Sequence, residues 1–225
     1  SQFHGDHYMG NAAFEREGAT FIAHTDTKAV ILERFEYEVK NRPFAARGQD
    51  PDKVKLVLPD ILFNDHLSLE LGGRTVELMY LGAGQNKGDT LIYFPHAKAL
   101  HTGGVFHNRS WANTSYTPSF EGWIDVLTAM KDLDVDTYIP PHGPLATAQD
   151  LDAFTQFIGE LNAGVRAAIG DGVPLEEMLQ NLTFEQYSEW RGYERRERNL
   201  TAMYQLMTAG EAQYFVPSER AAPRQ

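Results

Sequence analysis

Apolar residues recur at two different periods along this 225-residue chain. Alternation marks its middle. Leu67, Leu69 and Leu71 are spaced by polar residues, Gly72-Gly73 turns the chain, and Val76, Leu78 and Tyr80 alternate again, which predicts a β-hairpin. A second strand pair is predicted over Thr90–Phe94 and Ala99–Phe106, joined by a turn at Pro95 to Lys98. Shorter apolar runs at Thr20–Ala23 and Thr137–Pro140 read as single strands. Helical spacing brackets these segments. Helices are predicted over Asn11–Glu17, over Asp26–Lys40 with Ala29, Ile31, Leu32 and Phe35, and over Phe120–Leu133 with Trp123, Val126, Leu127 and Met130. Beyond Gln149 nearly everything is helical, with Ala153, Phe154, Phe157, Ile158 and Leu161 in one stretch and Leu200, Met203, Tyr204 and Met207 in another. Pro174–Leu182 and Phe184–Trp190 read as shorter helices between them. Asn41–Lys55 reads as a surface connection and the segment after Val216 as a frayed tail. The order predicts an α/β chain with a largely antiparallel sheet.

Composition narrows the class. Hydrophobic residues make up 42% and charged residues 23%, which is globular. Twenty Lys+Arg against 31 Asp+Glu give a formal charge of −11, so no basic face for nucleic acid is expected. No cysteine is present, which removes disulfides, thiolate metal sites and a cysteine nucleophile together. No apolar run approaches the roughly 20 residues of a membrane span. The compartment stays open between cytoplasm and periplasm.

The chemistry-bearing residues stand first in the chain. His4-Gly5-Asp6-His7 places two imidazoles and a carboxylate within one tight loop. That set suits zinc, iron or manganese better than calcium or magnesium, which take all-oxygen shells. Pro141-His142-Gly143 supplies a third imidazole on a constrained turn, where backbone bonding is the plainer alternative.

Together these pieces resemble the metallo-β-lactamase fold superfamily, whose first motif is His-x-His-x-Asp-His. Three more landmarks follow in order. Leu81 to Thr90 looks like the family's loop ahead of Gly-Asp-Thr, Thr102-Gly103-Gly104 falls where the family has Thr-Gly-Asp, and Ile139 to Pro144 is similar to its final Pro-Gly-His-Gly-Pro. The resemblance implies an αββα sandwich over residues 1–148, followed by a helical extension over 149–215 and the tail 216–225. It also implies two metal sites. The first, two histidines of the opening motif and one of the third, falls on Gln2, His4 and Gln85, and is expected to be lost because neutral amides are weak ligands. The second falls on Asp6, His7 and His142, while its bridging carboxylate is replaced by Gly104. What remains is a mononuclear site for one zinc, iron or manganese ion.

The leading expectation is a hydrolase of an ester, lactone, amide or related bond in a small-molecule substrate, with His4 as general base and Gln2 and Gln85 donating hydrogen bonds to substrate. Two rivals stand beside it. One makes Ser1 an N-terminal nucleophile in a metal-free site, freed by cleavage of a precursor. The other is a non-catalytic binding subunit. In the resembled fold the first motif follows several strands, so a polypeptide supplying them is expected, as a trimmed segment, a cleaved half or a separate partner. His101 and His107 flank the altered Thr-Gly-Gly loop and read as strand-end histidines, with His107 a possible replacement ligand. Trp111, Tyr116 and Phe120 read as core.

Overall fold

The computed structural model describes residues 1–41 and 50–209. The expected connection at 41–55 falls partly outside these residues, and the tail at 216–225 wholly so.

Two short helices open the chain, α1 (Gly5–Tyr8) and α2 (Asn11–Glu15), followed by strand β1 (Ile22–His24) and helix α3 (Thr25–Asn41). Strand β2 (Ile61–Phe63) pairs in parallel with β1 to form a two-stranded sheet. The second sheet has the order β3 (His66–Leu71), β4 (Arg74–Met79), β5 (Leu91–Phe94), β6 (Ala99–His101) and β7 (Thr137–Ile139). Neighbours are antiparallel except for β6 and β7. Helix α4 (Phe120–Ala129) precedes β7, and α5 (Ala148–Gly170), α6 (Leu175–Asn181) and α7 (Arg196–Ala209) follow it. The result is an α/β sandwich of mixed sheets flanked by helices, with extra C-terminal helices.

Local chemistry sets the boundaries. Gly72 and Gly73 both take positive φ, 61° and 80°, which closes the β3–β4 hairpin with a turn whose twist matches the strands. Ser119 caps α4 by accepting from Gly122 N–H at 3.0 Å. Thr147 and Asp150 form a reciprocal capping box at the start of α5. The main core lies between the five-stranded sheet and α4, α5 and α7, with Trp123, Phe154, Phe157 and Leu161 fully buried.

Several elements differ from their expected form. Strand β6 stops at His101 rather than running to Phe106, because Gly103 enters the left-handed region at φ 55° and turns the chain. The helix expected at Phe184–Trp190 is only a 3-10 turn at Glu185–Tyr187, entered through Phe184 at φ 52°. Helix α4 gives way to a 3-10 turn at Met130–Asp132. The buried face of α3 is Thr27, Val30, Ile31 and Arg34, whereas Leu32 points outward. In the hairpin, Leu71 sits at the tip opposite Arg74 and is exposed.

Topology explains where a site forms. Strands β4, β6 and β7 run in the same direction, so the loops leaving them meet at one end of the sheet. Ser1 joins that end through its carbonyl, which accepts from Thr90 N–H at 2.7 Å.

Candidate functional site

At this end Asp6, His7 and His142 come together with one ligand atom each, all within 4.8 Å of one another. Asp6 and His7 lie on α1, directly after His4 at its N-cap position. Nε2 of His142 donates to Asp6 Oδ2 at 3.1 Å, and His7 Nε2 lies 3.7 Å from the same oxygen. The hydrogen bond from His142 holds the Asp6 carboxyl well below the usual carboxylate range. Burial pushes His7 down to about 4, so at neutral pH it is an uncharged imidazole with a lone pair to give.

His142 is placed by its neighbours. Asn108 N–H donates to the His142 carbonyl at 3.2 Å, and the Asn108 side chain donates to the carbonyls of Pro144 and Leu145. Gly143 makes this contact possible. A Cβ there would lie 2.0 Å from the Asn108 carbonyl oxygen, and its φ of 99° disfavours a side chain as well.

Behind the cluster lies a buried polar network. Gln2 Nε2 donates to His7 Nε2 at 2.8 Å, and Ser1 Oγ lies 2.9 Å from His7 Nδ1. The Asn86 side chain donates to Gln2 Oε1 and, at 3.0 Å, to Asp89 Oδ1. Gln85 Nε2 donates to the Asn113 carbonyl at 3.2 Å. Gln2, Gln85, Asn86 and Asp89 are all buried. Burial raises the Asp89 carboxyl to about 6, against the hydrogen bonds from Asn86.

This network fills the space beside Gly104. A Cβ at Gly104 would lie 2.5 Å from Gln2 Oε1, 2.6 Å from Gln85 Oε1 and 2.7 Å from Asp89 Oδ1. The donor set of Asp6, His7 and His142 therefore suits a borderline cation, while the amide-lined space around Gln2 and Gln85 does not.

Asp6, His7 and His142 converge as a group. Gln2 and Gln85 are close by and buried, with the Gln2 amide nitrogen donating to His7 and that of Gln85 to the Asn113 carbonyl. The His4 ring packs edge-on against Phe3 and Tyr116, with centroids 4.7 Å and 5.4 Å away. His107 is buried, hydrogen-bonded to the Gly104 carbonyl and stacked on Phe154, and its ring lies 5.3 Å from that of His142. It is a packing neighbour of the cluster and, since β6 has already ended, not a strand-end residue. Trp111 and Phe120 are core; Tyr116 is half-buried and accepts a hydrogen bond from the buried Arg34. Asn86 and Asp89 were not singled out, although a second amide beside Gln85 and the acid of Gly-Asp-Thr were available as signals.

The sequence profile of the metallo-beta-lactamase superfamily matches residues 3–142. The chain belongs to the metallo-β-lactamase superfamily. Among curated proteins it is 23% identical over 188 residues to the 2,4-dinitroanisole O-demethylase subunit alpha of Nocardioides sp. (strain JS1661), covering 83% of this chain and 52% of that protein. The chain thus spans about half the length of the curated relative it matches. Among solved structures, the stereoselective inverting sec-alkylsulfatase Pisa1 from Pseudomonas sp. superposes with a TM-score of 0.70 at 18% identity, over 99% of this chain and 42% of that one. A metallo-β-lactamase from Pontibacter korlensis gives 0.53 at 18% identity, over 70% of this chain and 66% of that one. These likenesses share the superfamily's fold. The Pisa1 match reaches across the C-terminal helices, the β-lactamase match does not cover the whole chain.

Proposed function

We propose that this chain is a metal-dependent hydrolase that cleaves an ester, lactone, amide or related bond, using one zinc, iron or manganese ion held by Asp6, His7 and His142. The convergence of these three ligands within 4.8 Å carries the reading. When bound there with an open position, such an ion polarises a carbonyl or brings the pKa of its water toward roughly 7. The residues of the chain do the rest. Asp6, ionised throughout the physiological range, offsets the charge of the ion, and the half-buried neutral His7 gives a lone pair. His4, beside the cluster and close enough to Asp6 for its charge to be felt there, is assigned the base role. Gln2 holds His7 from behind through its amide.

The named activities of the relatives widen the substrate panel. An O-demethylase and an alkylsulfatase suggest including an aryl methyl ether and a secondary alkyl sulfate among the esters, lactones and amides. Elemental analysis should find about one metal ion per chain. Chelation, and His142→Ala, should each abolish turnover. A protein that carries no metal and ignores chelators overturns the reading.

A metal-free site with Ser1 as nucleophile draws on the 2.9 Å approach of its Oγ to His7 Nδ1. Ser1→Ala separates the two, since only the metal-free site needs the hydroxyl for turnover. A polypeptide adding strands to the β1–β2 sheet is part of the proposal. Its support is the exposure of Ile61 and Leu62 on a sheet that has, among the described residues, two three-residue strands, a size that is marginal alone.

A further inference from the structure

The hydrogen bonds behind the cluster form a chain in which each group dictates the next. Asp89 is buried, and its ionised carboxylate can only accept. Asn86 meets it twice, through its backbone N–H to Oδ2 at 2.8 Å and its side-chain amide nitrogen to Oδ1 at 3.0 Å. The Asn86 amide must therefore turn its NH2 toward Asp89, and the same NH2 meets Gln2. Gln2 must in turn present Oε1 to Asn86 and its own NH2 to the other side. On that side, at 2.8 Å, lies His7 Nε2. An amide NH2 cannot accept, so Nε2 carries the lone pair and the imidazole proton sits on Nδ1, where Ser1 Oγ accepts it at 2.9 Å. Nε2 is also the nitrogen 3.7 Å from Asp6 Oδ2, the oxygen that His142 reaches from the other side.

We propose that Gln2, backed by Asn86 and Asp89, is a positioning residue for the cluster: it fixes His7 as the Nδ1-protonated tautomer and caps its Nε2 lone pair, so that a cation enters only by displacing the amide. The tautomer half stands on the hydrogen bonds alone. The capping half rests on the metal-dependent reading. The cap has a purpose in physical terms. A lone pair largely shielded from water and left without a partner is costly, and Gln2 satisfies it until a cation replaces the bond. Because Gln2 is itself held at Oε1, it acts as a hinged stop rather than a loose side chain.

The two halves have separate tests. Nitrogen-15 NMR of histidine-labelled, metal-free protein should show His7 protonated at Nδ1. In Gln2→Glu the carboxylate can only accept, so the proton should move to Nε2. A wild-type proton on Nε2, or a tautomer unmoved in Gln2→Glu, overturns the proposal; a merely structural Gln2 would not move it. Titration with Zn2+ and Co2+ should show Gln2→Ala binding roughly three- to tenfold more tightly than the wild type, the worth of one displaced hydrogen bond. Equal or weaker binding by folded Gln2→Ala overturns the cap. Failure of wild type and variant alike to bind either ion overturns the cap together with the metal-dependent reading, whereas the NMR result decides the tautomer whichever way the titration falls.

Discussion

Gly104 cannot accept a side chain. Three acceptor oxygens, from Gln2, Gln85 and Asp89, already surround the position a Cβ would take. Two of them belong to buried amides with little room to retreat. Gly104→Ala should therefore destabilise the protein by about 2–3 kcal/mol, as overpacking does, read from the midpoint of a urea titration at constant slope. Gly104→Asp should cost more, since it sets a second carboxylate against buried Asp89. At this scale the sequence yields the ligands and little else. His4-Gly5-Asp6-His7 and Pro141-His142-Gly143 are contiguous motifs, so Asp6, His7 and His142 are legible. The roles of Asn86, Asp89 and Asn108 are not, because they depend on which atoms three separate loops bring within 3 Å or so, and residue type does not encode that.

The elements were legible where periodicity and punctuation agree. The Gly72-Gly73 hairpin is stated outright by local sequence. Legibility fails where a polar residue is buried or a bulky residue takes a positive φ. Arg34 lies on the inner face of α3 because its guanidinium donates to Tyr116 Oη at 2.8 Å and packs over that ring, so the helix reads as polar where it is buried. Phe184 at φ 52° ends a helical pattern that its composition would continue. Thr147→Ala removes the cap of α5 and should cost about 1 kcal/mol in denaturant titration. Asn108→Ala removes the two side-chain hydrogen bonds to the Pro144 and Leu145 carbonyls while keeping the backbone one to His142, and should weaken zinc binding in a competition assay with less effect on stability than Gly104→Asp.

Across the whole molecule, two buried groups set opposing responses to pH. Asp89, raised from 3.8 to about 6, keeps in the folded state a proton that the unfolded chain releases, so its contribution to stability falls as pH rises from about 4 to 6. His107, pushed by burial from 6.5 to about 3, stays neutral in the folded state while the unfolded chain binds a proton, so its contribution rises with pH from about 3 to 6.5. His7, pushed by burial from 6.5 to about 4, responds in the same direction as His107, so over pH 4 to 6 two histidines oppose one carboxyl. Stability should therefore rise from pH 4 to 6.5, and Asp89→Asn should steepen that rise, measured by thermal melts across the range. At this scale the two-sheet architecture followed from four motifs in the right order, whereas the unequal sheets, two strands against five among the described residues, depend on which strands meet in space.

The packing around Gly104 also bears on how such a centre changes over generations. A carboxylate at 104 is excluded while Gln2 and Gln85 stand there, and ligands at 2 or 85 alone leave Gly104 and Asn86 arranged for amides. A step toward a two-ion centre that begins at 104 should therefore pass through a less stable protein. The three positions are therefore expected to vary together among descendants of this chain, with drift confined to exchanges that keep an amide at 2 and 85 and no side chain at 104.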